Sequence, residues 1–120
     1  MNQKSIDFNN RLIKNVISII KTFQLLEKNE ANHIFFKQIV RSSSSIGANF
    51  QESQVSQSKK EFIAKLNISL KEANETLYWL ELTESLNNKN FSANKIESLE
   101  IIKILTSIIK TSNKRKTEQI

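Results

Sequence analysis

The chain contains no cysteine and no proline, and its 120 residues include a single glycine, Gly47. Without cysteine there are no disulfides and no thiolate metal sites. Without proline, and nearly without glycine, tight turns and hairpins are scarcely encoded, so helices are the natural use of the backbone. Long apolar runs are missing too. Lysine or glutamate interrupts each of them short of the ~20 residues of a membrane span. The opening residues, MNQKSIDFNN, lack the continuous apolar core of a signal peptide. A cytoplasmic protein, with no membrane partner, fits these absences. Histidine occurs once, as His33. The Glu-x-x-His pairs of carboxylate-bridged di-metal bundles are therefore not encoded, and neither a metal, a cofactor nor a catalytic residue is expected.

What is present suits one soluble domain. The length allows one hydrophobic core and is too short for two. The net charge of +6 and pI of about 9.7 permit contact with a polyanion. Fifteen lysines stand against three arginines. Binding of that kind would rest on phosphates and salt conditions rather than on base reading.

Apolar periodicity predicts four helices, over about residues 5–28, 33–57, 59–87 and 92–112. Leu12, Val16, Ile19, Phe23 and Leu26 mark the first, with Ile13, Ile17 and Ile20 widening its stripe. Asn32 is the expected N-cap of the second, whose inward face carries Phe35, Ile39, Ser43, Ile46 and Phe50. The third opens on a capping box, Ser58 to Glu61. Its Phe62, Leu66, Leu70, Ala73, Leu77 and Leu80 share an arc of about 80°. Ile68, Trp79, Leu82 and Leu86 cluster on nearly the opposite side. One core cannot easily bury both faces, so this second set is the expected oligomer interface. Ser92 is the expected cap of the fourth helix, which carries Ile101, Leu105, Ile108 and Ile109. These segments predict an all-α, up-down-up-down antiparallel four-helix bundle over residues 1–113. Residues 114–120 would form a basic, disordered tail. Lys103, Lys110, Lys114, Arg115 and Lys116 are the candidate nucleic-acid contacts.

The serine-rich stretch RSSSSIGANFQES, residues 41–53, resembles a phosphate loop at first sight. It has one glycine, no following Lys-Ser or Lys-Thr and no preceding strand, so that reading fails. On a helical wheel Gln38, Arg41, Ser45, Asn49 and Glu52 fall within about 80°, a polar stripe beside the apolar face. Its expected role is structural, satisfying neighbouring helices. The serines and Gly47 are poor helix formers, and close approach of another helix is the expected compensation.

The segment QIVRSSSSIGANFQES followed by SKKEFIAKLNISLKEANETLYWLELTESL resembles the bacterial four-helix-bundle family of the 23S ribosomal RNA intervening-sequence protein. The shared pattern falls on Gln38, Arg41, Ser45, Ile46, Asn49 and Glu52, then Ser58, Lys60, Glu61 and Phe62. It continues through Leu66, Leu70, Glu75, Leu80, Glu81 and Leu82. Gly47 stands where many members have proline and Ser53 where many have glycine, which implies a straighter second helix. The resemblance implies a ring-like homo-oligomer, typically a pentamer, and a nucleic-acid-associated scaffold. A related branch, the accessory proteins of diversity-generating retroelements, implies an alternative, a protein-interaction scaffold such as a partner of a reverse transcriptase.

Overall fold

A computed structural model describes the backbone of residues 1–118 and the side chains of residues 1–114. Four helices follow one another: α1 (Gln3–Gln24), α2 (Glu30–Gln54), α3 (Lys59–Asn87) and α4 (Ser92–Glu118). Among the described residues there is no strand. Each helix packs on its sequence neighbours, and α1 meets α4 more sparsely to close the bundle. The body measures 54 × 21 × 21 Å. The expected all-α four-helix bundle is the observed architecture.

The helix ends show which local signals win. Ser58 caps α3 as the sequence predicts, accepting from the Glu61 N–H at 3.1 Å, while Glu61 reaches back to the Gln57 N–H at 3.1 Å. At α2 the cap is Asn29, not Asn32. The Asn29 Oδ1 accepts from the Asn32 N–H at 2.9 Å, and α2 starts three residues before the expected His33. Asn32 is buried, and its carboxamide is spent on tertiary partners instead. α1 ends at Gln24 rather than Lys28. The N–H groups of Leu25 and Leu26 turn back to Thr22 and Phe23 carbonyls, which tightens the chain and folds Leu26 into the core.

Ser92 is the first helical residue of α4 rather than its cap. The Asn90 Oδ1 accepts the Ser92 N–H at 2.8 Å, and the Phe91 carbonyl receives the first helical bond, from Lys95. α4 does not end near Ser112 but continues to Glu118. Ser112 and Asn113 are only moderately poor helix formers, and no glycine or proline follows to stop the helix.

The turn between α3 and α4 is tied by Glu84. Asn88 takes the left-handed conformation at φ 51°, and its N–H closes onto the Glu84 carbonyl. The Glu84 carboxylate accepts from the Lys95 ammonium at 2.6 Å and from the Phe91 N–H at 2.7 Å. These bonds, Lys95 first, hold the Glu84 carboxyl below its ordinary value of 4.5. In the unfolded chain Glu84 takes up its proton near 4.5, before the folded chain does. The stabilisation is therefore complete above that pH and lost as the pH falls through the folded value. Between about pH 5.5 and about pH 3, the urea midpoint of the wild type should fall further than that of Glu84→Gln. Equal falls would show that the turn does not depend on this carboxylate.

Inward positions follow the helical period. α1 buries Phe8, Leu12, Asn15, Ile19 and Phe23, and α2 buries Ile39, Ser42, Ser43, Ile46 and Phe50. On α3 the buried line is Leu66, Ser69, Ala73, Thr76, Leu80 and Thr83, with Phe62, Leu70 and Leu77 only half-buried. The inward face is thus rotated by about 45° from the purely apolar arc, counting ~100° per residue. Hydroxyls account for the rotation. Ser69 donates to the Ile46 carbonyl at 2.7 Å, and the Ser42 and Thr76 hydroxyls bond at 2.9 Å. Side chains this small let α2 and α3 approach closely, and their polar atoms are satisfied within the seam.

Candidate functional site

The polar stripe of α2 faces α3 of its own chain. Arg41 forms an ion pair with Glu72 at 3.3 Å and another with Glu75, and Glu52 pairs with Lys65 at 3.2 Å. The Asn49 amide donates to the Ser45 carbonyl at 2.9 Å, while Gln38 is half-buried beside them. The stripe therefore runs along the solvent side of the α2–α3 seam, with Arg41 and Glu52 exposed. Half-exposed pairs of this kind contribute at most about 1 kcal/mol each. Glu72 is the member that sequence periodicity does not single out; only the pairing of α2 with α3 brings it to Arg41.

The same seam carries an aromatic cluster. Trp79 is half-buried, with its ring centroid 5.9 Å from Phe35 and 5.3 Å from Tyr78, and its indole N–H donates to Glu75 at 3.2 Å. It packs against the core cluster of Ile39 and Leu80. Of the four residues expected on the outer face of α3, Ile68 and Leu86 are exposed, while Trp79 and Leu82 are half-buried. Tyr78, absent from that set, is 57% exposed and belongs with them. On α1, Ile6, Ile13 and Ile17 also point outward.

Gly47 departs from its expected role. A methyl group built there would meet the Leu12 Cβ at 3.7 Å, an ordinary contact, and its φ is not positive. Close packing within the chain therefore does not require glycine at this position; Ser42 and Ser69 serve the tight seam instead. Gly47→Ala should raise stability by about 0.5–1 kcal/mol through helix propensity and a less flexible unfolded chain. A thermal melt reads this. A lower Tm would show that the space between Gly47 and Leu12 must stay open.

Lys103, Lys110 and Lys114 are exposed on α4 and fall within about 40° of one another. The side chains of Arg115 and Lys116 lie outside the described residues. The antiparallel pairing of α3 with α4 puts Lys59 and Lys60 at the same end of the bundle as Lys110 and Lys114. At the opposite end a hollow of about 510 Å³ opens among Phe23, Leu26 and Phe36, with His33 on its lining and no hydroxyl or thiol there. Among the described residues no three His, Asp or Glu side chains gather to hold a metal ion, and no helix is long and apolar enough to cross a membrane.

Against known families, residues 3–113 match the one described as 23S rRNA-intervening sequence protein. The chain belongs to that family. Among solved structures it is similar to a crystallised protein of unknown function from the S23 ribosomal protein family of Bacteroides thetaiotaomicron. The two share 39% sequence identity with a TM-score of 0.80, over 90% of this chain and 99% of the other. No curated protein matches. The span matched to the 23S rRNA-intervening sequence protein family takes in the whole stripe from Gln38 to Glu52 and the outer face of α3. It includes Lys103 and Lys110 and ends one residue before Lys114. The α2–α3 hairpin that carries the motif residues is also the best-packed pair in the bundle.

Proposed function

We propose that the protein is a non-enzymatic, homo-oligomeric scaffold of the cytoplasm that associates with nucleic acid through the lysine line of α4. The observation that carries this reading is the alignment of Lys103, Lys110 and Lys114 on one exposed face, leading to the bundle end where Lys59 and Lys60 lie. A net charge of +6 reinforces it. Lysines on a helix surface read phosphates, so the target class is a structured RNA or a duplex, bound with little base preference. The exposed Ile68, Tyr78 and Leu86, with Ile6, Ile13 and Ile17 on another face, support self-association. Two different patches suit a heterologous contact, which closes into a ring such as a pentamer.

A fluorescence-anisotropy titration with a structured RNA at two salt concentrations tests the reading. Binding should weaken steeply with salt. Replacing Lys103, Lys110 and Lys114 by alanine should flatten the log–log slope by roughly one for each phosphate that is no longer neutralised. No binding at low salt would sink the proposal. Light scattering should return a multimer for the wild type and a smaller species for Trp79→Ala; a monomeric wild type removes the oligomer.

The aromatic cluster of Phe35, Tyr78 and Trp79 favours a second reading, a protein-interaction scaffold such as an accessory partner of a reverse transcriptase. A reverse-transcriptase gene beside this one would favour it; a ribosomal RNA locus would favour the first.

A further inference from the structure

The hydrophobic interior is interrupted halfway along the bundle. One buried cluster includes Leu12, Ile46, Ala73 and Ile101; the other includes Ile19, Ile39, Leu80 and Phe91. Between them each helix turns a polar residue inward. On α1 it is Asn15, on α2 Ser42 and Ser43, on α3 Thr76 and on α4 Ser98. All four helices are thus polar at one level.

Ser42 and Thr76 satisfy each other. The rest of the layer is different. Asn15, Ser43 and Ser98 are 3%, 1% and 2% exposed. Yet both polar atoms of the Asn15 carboxamide and both serine hydroxyls lack a protein partner. Elsewhere this chain satisfies small polar side chains on helices by turning them to the carbonyl four residues back. Thr76, Thr83, Asn49 and Asn74 all do so. Asn15, Ser43 and Ser98 do not. A carboxamide left bare between two hydrocarbon clusters would be strongly destabilising, so these groups require a ligand.

Their chemistry defines it. All are neutral, and the three offer both donors and acceptors at one level of the bundle. A cation would call for carboxylates and an anion for cationic donors, and neither charge is in the layer. Water both donates and accepts, and a buried water typically makes about three hydrogen bonds. A groove of about 270 Å³ between α1 and α2 has Ser43 in its lining, beside Val16, Ser44, Gly47 and Ala48, and brings solvent-side space to one member of the layer. We propose that the middle of the bundle is an internal water site, in which ordered water bridges Asn15 on α1, Ser43 on α2 and Ser98 on α4.

The test is water-directed NMR on the full chain, combining water–protein cross-relaxation with the field dependence of water-oxygen relaxation. The wild type should show long-lived internal water close to Asn15, and the triple variant Asn15→Leu, Ser43→Ala, Ser98→Ala should not. Should the triple variant fail to fold, Ser43→Ala and Ser98→Ala alone carry the test, since each removes one hydroxyl. Each should shorten the water residence time by roughly tenfold, the equivalent of one hydrogen bond. Absence of long-lived water in the wild type, or its persistence unchanged in the variants, would overturn the proposal.

Discussion

Replacing Phe50 by alanine should destabilise the bundle by about 3–5 kcal/mol, the range for emptying a buried aromatic site. Phe50 is 2% exposed and stands edge-on to Phe8, with ring centroids 4.9 Å apart and planes at 89°. Its loss removes apolar burial and an aromatic pair, and leaves a cavity in the core cluster it shares with Leu12, Leu66, Ile101 and Leu105. A domain of this size is typically stable by roughly 5–15 kcal/mol, so one side chain would claim a large share. Urea denaturation followed by circular dichroism measures it, and the slope of the transition should be unchanged. A loss below about 1 kcal/mol would mean that the neighbours collapse into the space.

Asn32→Ala should cost about 2 kcal/mol at the other end of the molecule, within the range for stranding buried hydrogen-bonding groups. The Asn32 amide donates to the Glu27 carbonyl at 2.8 Å and to the Asn87 side chain at 2.9 Å. The Asn87 amide donates back to Asn32 at 2.8 Å. This pair fastens the α1–α2 connection to the last turn of α3. Alanine at position 32 leaves the Glu27 carbonyl and the Asn87 Oδ1 without the Asn32 amide, while the Asn87 amide keeps only its bond to the Thr83 carbonyl at 2.8 Å. The double variant Asn32→Ala, Asn87→Ala should therefore cost less than the sum of the single variants, by about 1 kcal/mol in a double-mutant cycle. Strict additivity would show that the two amides do not act as a pair.

Helix number, order and antiparallel arrangement were readable from periodicity, because each helix buries a stripe that repeats at helical spacing. The capping box of α3 was readable because Ser58 and Glu61 both accept from backbone N–H groups within four residues of themselves. Asn29 and Asn32 illustrate the limit. Both are good caps, and the choice between them rests on Asn87, 55 residues beyond Asn32. Burial of Ser69, Thr76 and Thr83 escaped a reading based on apolarity. Their signal was spacing, since they continue the inward line of Leu66, Ala73 and Leu80. The stripe of Arg41 and Glu52 was visible in the sequence, but its partners Glu72, Glu75 and Lys65 were not. Local patterning says which residues share a face, and only the packed fold says what that face meets.

The sparse α1–α4 seam has a consequence for how the chain folds. The other three seams join helices adjacent in sequence, so most of the structure forms by short loop closures. Such a topology has low contact order and belongs with the domains that fold in microseconds to milliseconds. The α1–α4 seam alone joins the two ends of the chain, through the bidentate Arg11–Glu97 pair and the contacts of Ser18 and Thr22 with Asn94. Those polar contacts tie the first helix to the last, so they are expected to form last on folding. In the folded bundle they latch the edge that the short connections leave open.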